Sequence, residues 1–193
     1  MKIGVDIDDC ITKTVDIYCE IANTLLELSI KSTDILHLDG KIESTGLIST
    51  EQMEKINEEI YRRRAFRDLE IHTDCKEVLT RLHNSGEEII LVTSRDNYLE
   101  IEEDTKFWLQ KEGILYDGLI LAGIKGPAIS ENGIDVFIDD RISYIEEAVN
   151  AGAKGIIFTQ PWNKSYKPGS EVERARNWLE IERVLQDYKR KIC

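Results

Sequence analysis

Five short, mostly apolar β-rich runs separated by helical patterns constrain this chain more than any other feature. The runs are Lys2 to Asp8, in which Ile3, Val5 and Ile7 alternate, then Glu88 to Thr93, Leu119 to Leu121, Val136 to Asp139 and Gly155 to Thr159. Between them lie Asp74 to Asn84 with Val78, Leu79 and Leu82 on one face, Tyr98 to Glu112 with Ile101, Trp108 and Leu109, and Arg141 to Ala151 with Ile142, Ile145, Ala148 and Val149. Short apolar strands alternating with amphipathic helices predict an α/β chain, a Rossmann-like, mostly parallel sheet with helices on both faces. A last helix is expected from Glu171 to Lys189, docking Val172, Ala175, Trp178, Leu179, Val184 and Leu185 on the sheet.

One segment breaks the alternation. From about Thr14 to Asp68 only helix patterns occur: Val15 to Leu28, then Glu51 to Arg64, the second introduced by a Ser49/Gln52 capping box. About 55 residues of helix after the first strand exceed what a crossover needs. A small helical cap is therefore expected at 15–69, with both ends returning near the exit of strand one, on a core formed by 1–14 and 70–193.

The 193 residues carry 25 Lys and Arg against 37 Asp and Glu, a formal charge of −12. So acidic a chain is a poor partner for a nucleic-acid polymer or an anionic membrane, both of which need clustered cations. The opening MKIGVDIDDC enters a strand pattern at once and is not read as a signal peptide, and no apolar run approaches a membrane span. Cys10, Cys19, Cys75 and Cys193 are scattered, so free thiols in a reducing cytoplasm are expected; with His37, His72 and His83 they form no zinc spacing. Nothing in the chain speaks to oligomeric state.

The acids are concentrated at strand ends. Asp6, Asp8 and Asp9 close the first run, and Asp139 and Asp140 close Val136-Phe137-Ile138. Along an extended strand Asp6 and Asp8 would share a face, with Asp9 turned away. Polar loops facing water are the plain reading of such acids. Yet in a parallel sheet all carboxyl ends meet at one edge, where the two clusters converge, and carboxylates at that density suit Mg²⁺. Two further strand ends add Thr93 and Ser94, with backbone N–H groups for phosphate oxygens, and Lys125 in the loop Gly123-Ile124-Lys125-Gly126.

In that order these residues resemble the four motifs of the haloacid dehalogenase superfamily of phosphohydrolases: D-x-D, a strand-end Thr or Ser, a Lys and an acidic pair. The likeness spans roughly residues 1 to 14 and 70 to 160. It implies a phosphomonoesterase in which Asp6 is the nucleophile, forming a phospho-aspartate, and Asp8 the general acid and then base. Mg²⁺ would be held by Asp6, the Asp8 carbonyl and one or both of Asp139 and Asp140, while Thr93, Ser94 and Lys125 hold the phosphoryl group. Within the superfamily the chain is most similar to the 5′(3′)-deoxyribonucleotidase-like family, through Leu91-Val92-Thr93-Ser94-Arg95, Ile138-Asp139-Asp140-Arg141, Trp108-Leu109 before Gly113-Ile114, and Pro161-Trp162-Asn163. It departs from many relatives in Asp9, where they have Gly, and in Cys10, where Thr or Val is common; Asp9 adds negative charge beside the site.

A 5′-nucleotidase acting on nucleoside or deoxynucleoside monophosphates is thus expected, its partner a small phosphorylated substrate. The alternatives are a phosphatase for small sugar or metabolite phosphates and a non-catalytic phosphate-binding protein on the same fold. A phospho-acceptor receiver domain fits poorly, since it needs its acceptor Asp after a third strand, and neither a P-loop nor G-x-G-x-x-G occurs. Arg62, Arg63, Arg64 and Arg67, with Tyr61 and Phe66, could reach over an anionic or aromatic substrate. A run of arginines at a helix end is more often a solvated face that suits the dipole, and they are not counted as site residues.

Overall fold

In the computed structural model, which describes residues 1–37, 39–95 and 99–192, strands β1 (Lys2–Val5), β2 (Glu88–Thr93), β3 (Gly118–Leu121), β4 (Val136–Asp139), β5 (Lys154–Phe158) and β6 (Val172–Ala175) form one sheet. Its order is β3-β2-β1-β4-β5-β6, and every pairing is parallel. The helices are α1 (Thr14–Leu26), α2 (Thr50–Arg63), α3 (Cys75–Asn84), α4 (Leu99–Glu112), α5 (Lys125–Glu131), α6 (Ile142–Asn150) and α7 (Trp178–Ile192). Tyr98, expected to open the α4 helix, and Cys193 lie outside the described residues.

Alternate strand residues feed two cores. Ile3, Val5, Ile89, Leu91, Val136, Ile138 and Ile156 pack with α3, α4 and α7, whereas Ile90, Val92, Phe137 and Ile157 pack with α5 and α6. Burial on both faces is why the strands read as apolar runs instead of alternating. Gly4 lets the Phe137 ring lie across the centre of the sheet, since a Cβ there would stand 2.7 Å from Phe137 Cδ2.

Three expectations are corrected. β1 stops at Val5, not Asp8: the Ile11 and Thr12 amides both donate to the Ile7 carbonyl, and Asp9 has φ 57°, so Asp8 and Asp9 occupy a turn just beyond Asp6. The start of the expected last helix is instead the sixth strand, Val172 pairing with Gly155 and Ala175 with Phe158. The helix begins only at Trp178, where the Asn177 side chain accepts the Glu180 N–H at 2.9 Å. Lys125 lies in the first turn of α5 and not in a glycine loop.

The excursion after β1 is helical, as expected, with α1, α2 and 3₁₀ turns at Ser32–Asp34, Ile42–Thr45 and Ala65–Arg67. The Ser49/Gln52 capping box is formed. The chain leaves and re-enters the core through one short antiparallel ribbon. Thr12 bridges Ile71, Lys13 N–H donates to Glu70 O at 2.9 Å, and His72 N–H donates to Ile11 O at 2.8 Å.

Candidate active site

The strand order reverses direction between β1 and β4, and a crevice is expected outside the carboxyl ends of strands at such a point. The Asp6 amide donates to the Ile138 carbonyl at 2.9 Å, fastening the end of β1 to β4. Lys125, fully buried, donates from Nζ to Asp6 Oδ1 at 2.5 Å and to Asp139 Oδ2 at 2.7 Å. Its backbone is fixed by Glu147 of α6, which accepts the Lys125 and Gly126 N–H groups at 2.8 and 3.0 Å. The Tyr144 ring lies 4.3 Å from the ammonium.

Asp140 is held differently. Its Oδ2 accepts the Trp162 indole N–H at 2.8 Å and its carbonyl accepts Asn163 Nδ2 at 2.7 Å. Its Oδ1 faces the Cys10 thiol at 3.9 Å, and one ligand atom each from Asp6, Cys10 and Asp140 lie within 4.8 Å of one another. Asp8 turns to the other side. Arg95 donates to it from Nη2 at 2.6 Å and Nε at 2.9 Å, Thr14 donates at 2.6 Å, and the Thr93 hydroxyl is 3.4 Å away.

The electrostatics follow from this packing. Burial, with repulsion from Asp139 and Asp8 and against the pull of Lys125, raises the Asp6 carboxyl to about 7. Burial and then Asp139, Asp9 and Asp6 hold Asp140 well above the ordinary range. For Asp8 burial would raise the pKa, but the Arg95 guanidinium reverses that and lowers it. Burial alone would lower Lys125, yet Asp139 and Asp6 raise it, so it remains an ammonium. Burial pushes the Cys10 thiol up, leaving it uncharged and unreactive.

A cavity of about 320 Å³ opens above this floor. Of the seven expected site residues, Asp6, Asp8 and Ser94 line it, whereas Thr93, Lys125, Asp139 and Asp140 stand behind the wall, each at most 3% exposed. Asp9 is not simply turned away: its carboxylate accepts the Val15 N–H at 3.0 Å at the start of α1 and also borders the cavity. The far wall comes from the helical excursion: Tyr18, Met53, Asn57, Tyr61 and Phe66. Arg62 and Arg63 pair with Glu59 instead, and Arg64 and Arg67 with Asp104 of α4. Arg95 and Arg141 also line the cavity and were not assigned from the sequence. Their adjacency to Ser94 and Asp140 was the available signal.

A parallel sheet whose first and fourth strands end in a D-x-D and an acidic pair, joined by a buried lysine, defines a hydrolase of the haloacid dehalogenase superfamily. Solved structures agree on the fold. A haloacid dehalogenase-like family hydrolase from Streptococcus pneumoniae is 16% identical with TM-score 0.69, covering 96% of this chain and 98% of that one. A predicted phosphoglycolate phosphatase from Haemophilus somnus is 13% identical with TM-score 0.67, covering 95% and 97%. No curated protein sequence matches the chain. Residues 1–191 match the family model described as 5′ nucleotidase, deoxy (Pyrimidine), cytosolic type C protein, and the chain belongs to that family. It is a nucleotidase-like phosphoric monoester hydrolase.

Proposed function

We propose that this enzyme is a 5′-nucleotidase that hydrolyses nucleoside monophosphates through a phospho-aspartate on Asp6, with deoxyribonucleotides the preferred class. The observation that carries the reading is the pairing of Asp6, on the cavity floor and backed by Lys125, with Asp8 facing the same cavity. An Asp6 oxygen attacks phosphorus as the ester P–O bond breaks, and Asp8 gives its proton to the leaving oxygen. Water then attacks the phospho-aspartate, losing its proton to Asp8 and freeing Asp6 and phosphate. The cycle asks Asp6 to lose its proton, which Lys125 favours, and Asp8 to carry one against the pull of Arg95. Lys125 acts from behind the wall, drawing Asp6 toward its anion against the effect of burial, while Ser94 and backbone N–H groups meet the phosphoryl oxygens.

The residues fit a divalent cation. Asp6 and Asp140 are buried, close, and both raised in pKa, the mark of a site short of positive charge. Their hard oxygens, with the Asp8 carbonyl, suit Mg²⁺. Asp139 is already engaged by Lys125 and by the Arg141 N–H, so Asp140 is the ligand of the acidic pair. Bound there, Mg²⁺ would screen the charge of nucleophile and phosphate.

Residues 15–69 act as a cap that covers the leaving group, and 1–14 with 70–193 as the catalytic core. The substrate is a small phosphate ester and not a nucleic-acid polymer or membrane, in keeping with the charge of −12. No described helix is long and apolar enough to cross a membrane. The family is described as cytosolic, and a cytoplasmic location is proposed for this chain too.

The test is phosphate release from deoxy- and ribonucleoside monophosphates and from sugar phosphates, each with Mg²⁺ or EDTA. Nucleotides should lead in kcat/KM, EDTA should abolish turnover, and Asp6→Asn should remove at least about 10³-fold of kcat. Undiminished turnover by Asp6→Asn would refute the covalent route. A lead for sugar phosphates by orders of magnitude would replace the substrate class.

A further inference from the structure

Arg95 has no part in the chemistry proposed so far, yet it is one of the most elaborately held side chains near the cavity. It is 6% exposed. Three elements hold it in place. Nη1 donates to Thr105 Oγ1 of α4 at 3.0 Å, and the guanidinium lies 4.5 Å from the ring centroid of Phe66, in the turn that ends the helical excursion. Nη2 and Nε form a two-point fork on the Asp8 carboxylate at 2.6 and 2.9 Å. A planar fork fixes both the position and the plane of a carboxyl, which a single donor cannot do.

Asp8 needs such fixing. It stands in the turn beyond β1 and is partly exposed on the cavity, so its own backbone does not determine where its oxygens point. Its remaining side-chain partners, the Thr14 and Thr93 hydroxyls, each bind one oxygen. The fork and the two hydroxyls fill the carboxylate's acceptor directions, about four in all, and a proton is accommodated where a hydroxyl turns from donor to acceptor.

We infer that Arg95 is the positioning residue of the Asp8 carboxyl, aiming it at the bridging oxygen of the ester, and is not a ligand of the phosphate. The inference rests on the reading of Asp8 as the acid. In that step the bond from phosphorus to the leaving oxygen breaks as the bond from Asp6 forms. The electron pair stays on the leaving oxygen, which takes the Asp8 proton. An aryl oxide leaves readily without that proton, whereas an alkoxide does not. A residue that aims the acid therefore matters more for alkyl than for aryl esters. One that binds phosphate matters equally for both.

The experiment compares kcat/KM for 4-nitrophenyl phosphate and thymidine 5′-monophosphate in the Mg²⁺-loaded wild type, Asp8→Asn, Arg95→Gln, Arg95→Lys and Thr105→Val. Asp8→Asn should lose on the order of 10²-fold more on the nucleotide than on the aryl ester. Arg95→Gln should show the same bias, by about tenfold or more, with Arg95→Lys recovering part of it because it keeps charge without the fork. Thr105→Val, which removes a hydroxyl behind Arg95 without altering the cavity wall, should shift the ratio the same way but less, and supplies the answer if Arg95→Gln does not fold. Equal losses on both esters, with raised KM and weaker inhibition by inorganic phosphate, would make Arg95 a phosphate ligand and overturn the inference. Equal losses together with a lowered Tm would make it structural and overturn it too. Absence of bias in Asp8→Asn would instead refute the acid role of Asp8, and the inference would fall with it.

Discussion

The two sides of the cavity are built on opposite principles. On the sheet side charge is concentrated and buried, with Lys125, Asp139, Asp140 and Asp6 all at most 4% exposed. On the helical side, apart from Lys41 and Glu43, the wall is neutral, and the arginines nearest to it are paired elsewhere. The difference teaches where each kind of energy is useful. Preorganised charge stabilises a transition state only where bonds are exchanged, and there it must be dry and fixed. A neutral wall of aromatic rings and one amide selects by shape and stacking, and can change without unbalancing a buried charge.

Lys125→Met should have the largest effect on this contrast, because it leaves Asp6 and Asp139 buried without their cation. Losing one partner of a buried ion pair costs about 3–5 kcal/mol, and kcat should fall with it. Denaturant unfolding beside steady-state kinetics measures both, and full stability with lost kcat would mean that the floor is not held by charge. Asp104→Asn comes next. This carboxylate is 4% exposed and receives Arg64 and Arg67, so its loss should cost about 1–3 kcal/mol. Hydrogen exchange should quicken in residues 50–67 while β1 and β4 stay protected. Equal quickening in the strands would erase the proposed distinction between the two sides.

Asn57→Ala, on the neutral wall, should raise KM for nucleotides with kcat nearly kept and stability within about 0.5 kcal/mol. A collapse of kcat would place this side in the chemistry. The smallest effect is expected far from the cavity, at Glu182 of α7, which accepts two bonds from Arg81 of α3, each 2.8 Å. The Arg81 hydrogen bonds lower its pKa below the ordinary 4.5. Its contribution is therefore present above that value and is lost as the pH falls through the lowered pKa. Arg81 is half exposed, so Glu182→Gln should cost under about 1 kcal/mol at neutral pH, and its Tm should converge with that of the wild type in acid.

Much of the sheet and of the floor was legible in the sequence. Buried parallel strands leave unbroken apolar runs, and acids at the ends of such runs carry their meaning locally. β6 was not legible, because Val172 and Ala175 fit a helical spacing as well as a strand, and an edge strand carries exposed Glu173 and the half-buried Arg174. α5 was hidden by its seven residues and by Gly126 and Pro127. Asp104 shows the harder limit. It sits in the run Glu102-Glu103-Asp104, which reads as a solvated face, and its burial depends on Arg64 and Arg67 about 40 positions earlier. Arg95 is similar, since its partner Asp8 is 87 positions away. Pairing across such distances is decided by topology and leaves no local trace.

The ribbon at Thr12 and Ile71 has a mechanical meaning. Two independent connections would let the helices drift, tilt and twist over the sheet in many combinations. Two hydrogen-bonded strands, further clasped by the ion pair of Lys13 with Glu70, bend together, and resist sliding past each other. Whatever preserves those bonds moves both connections together, so the two ends of the helical segment share one anchor on the sheet.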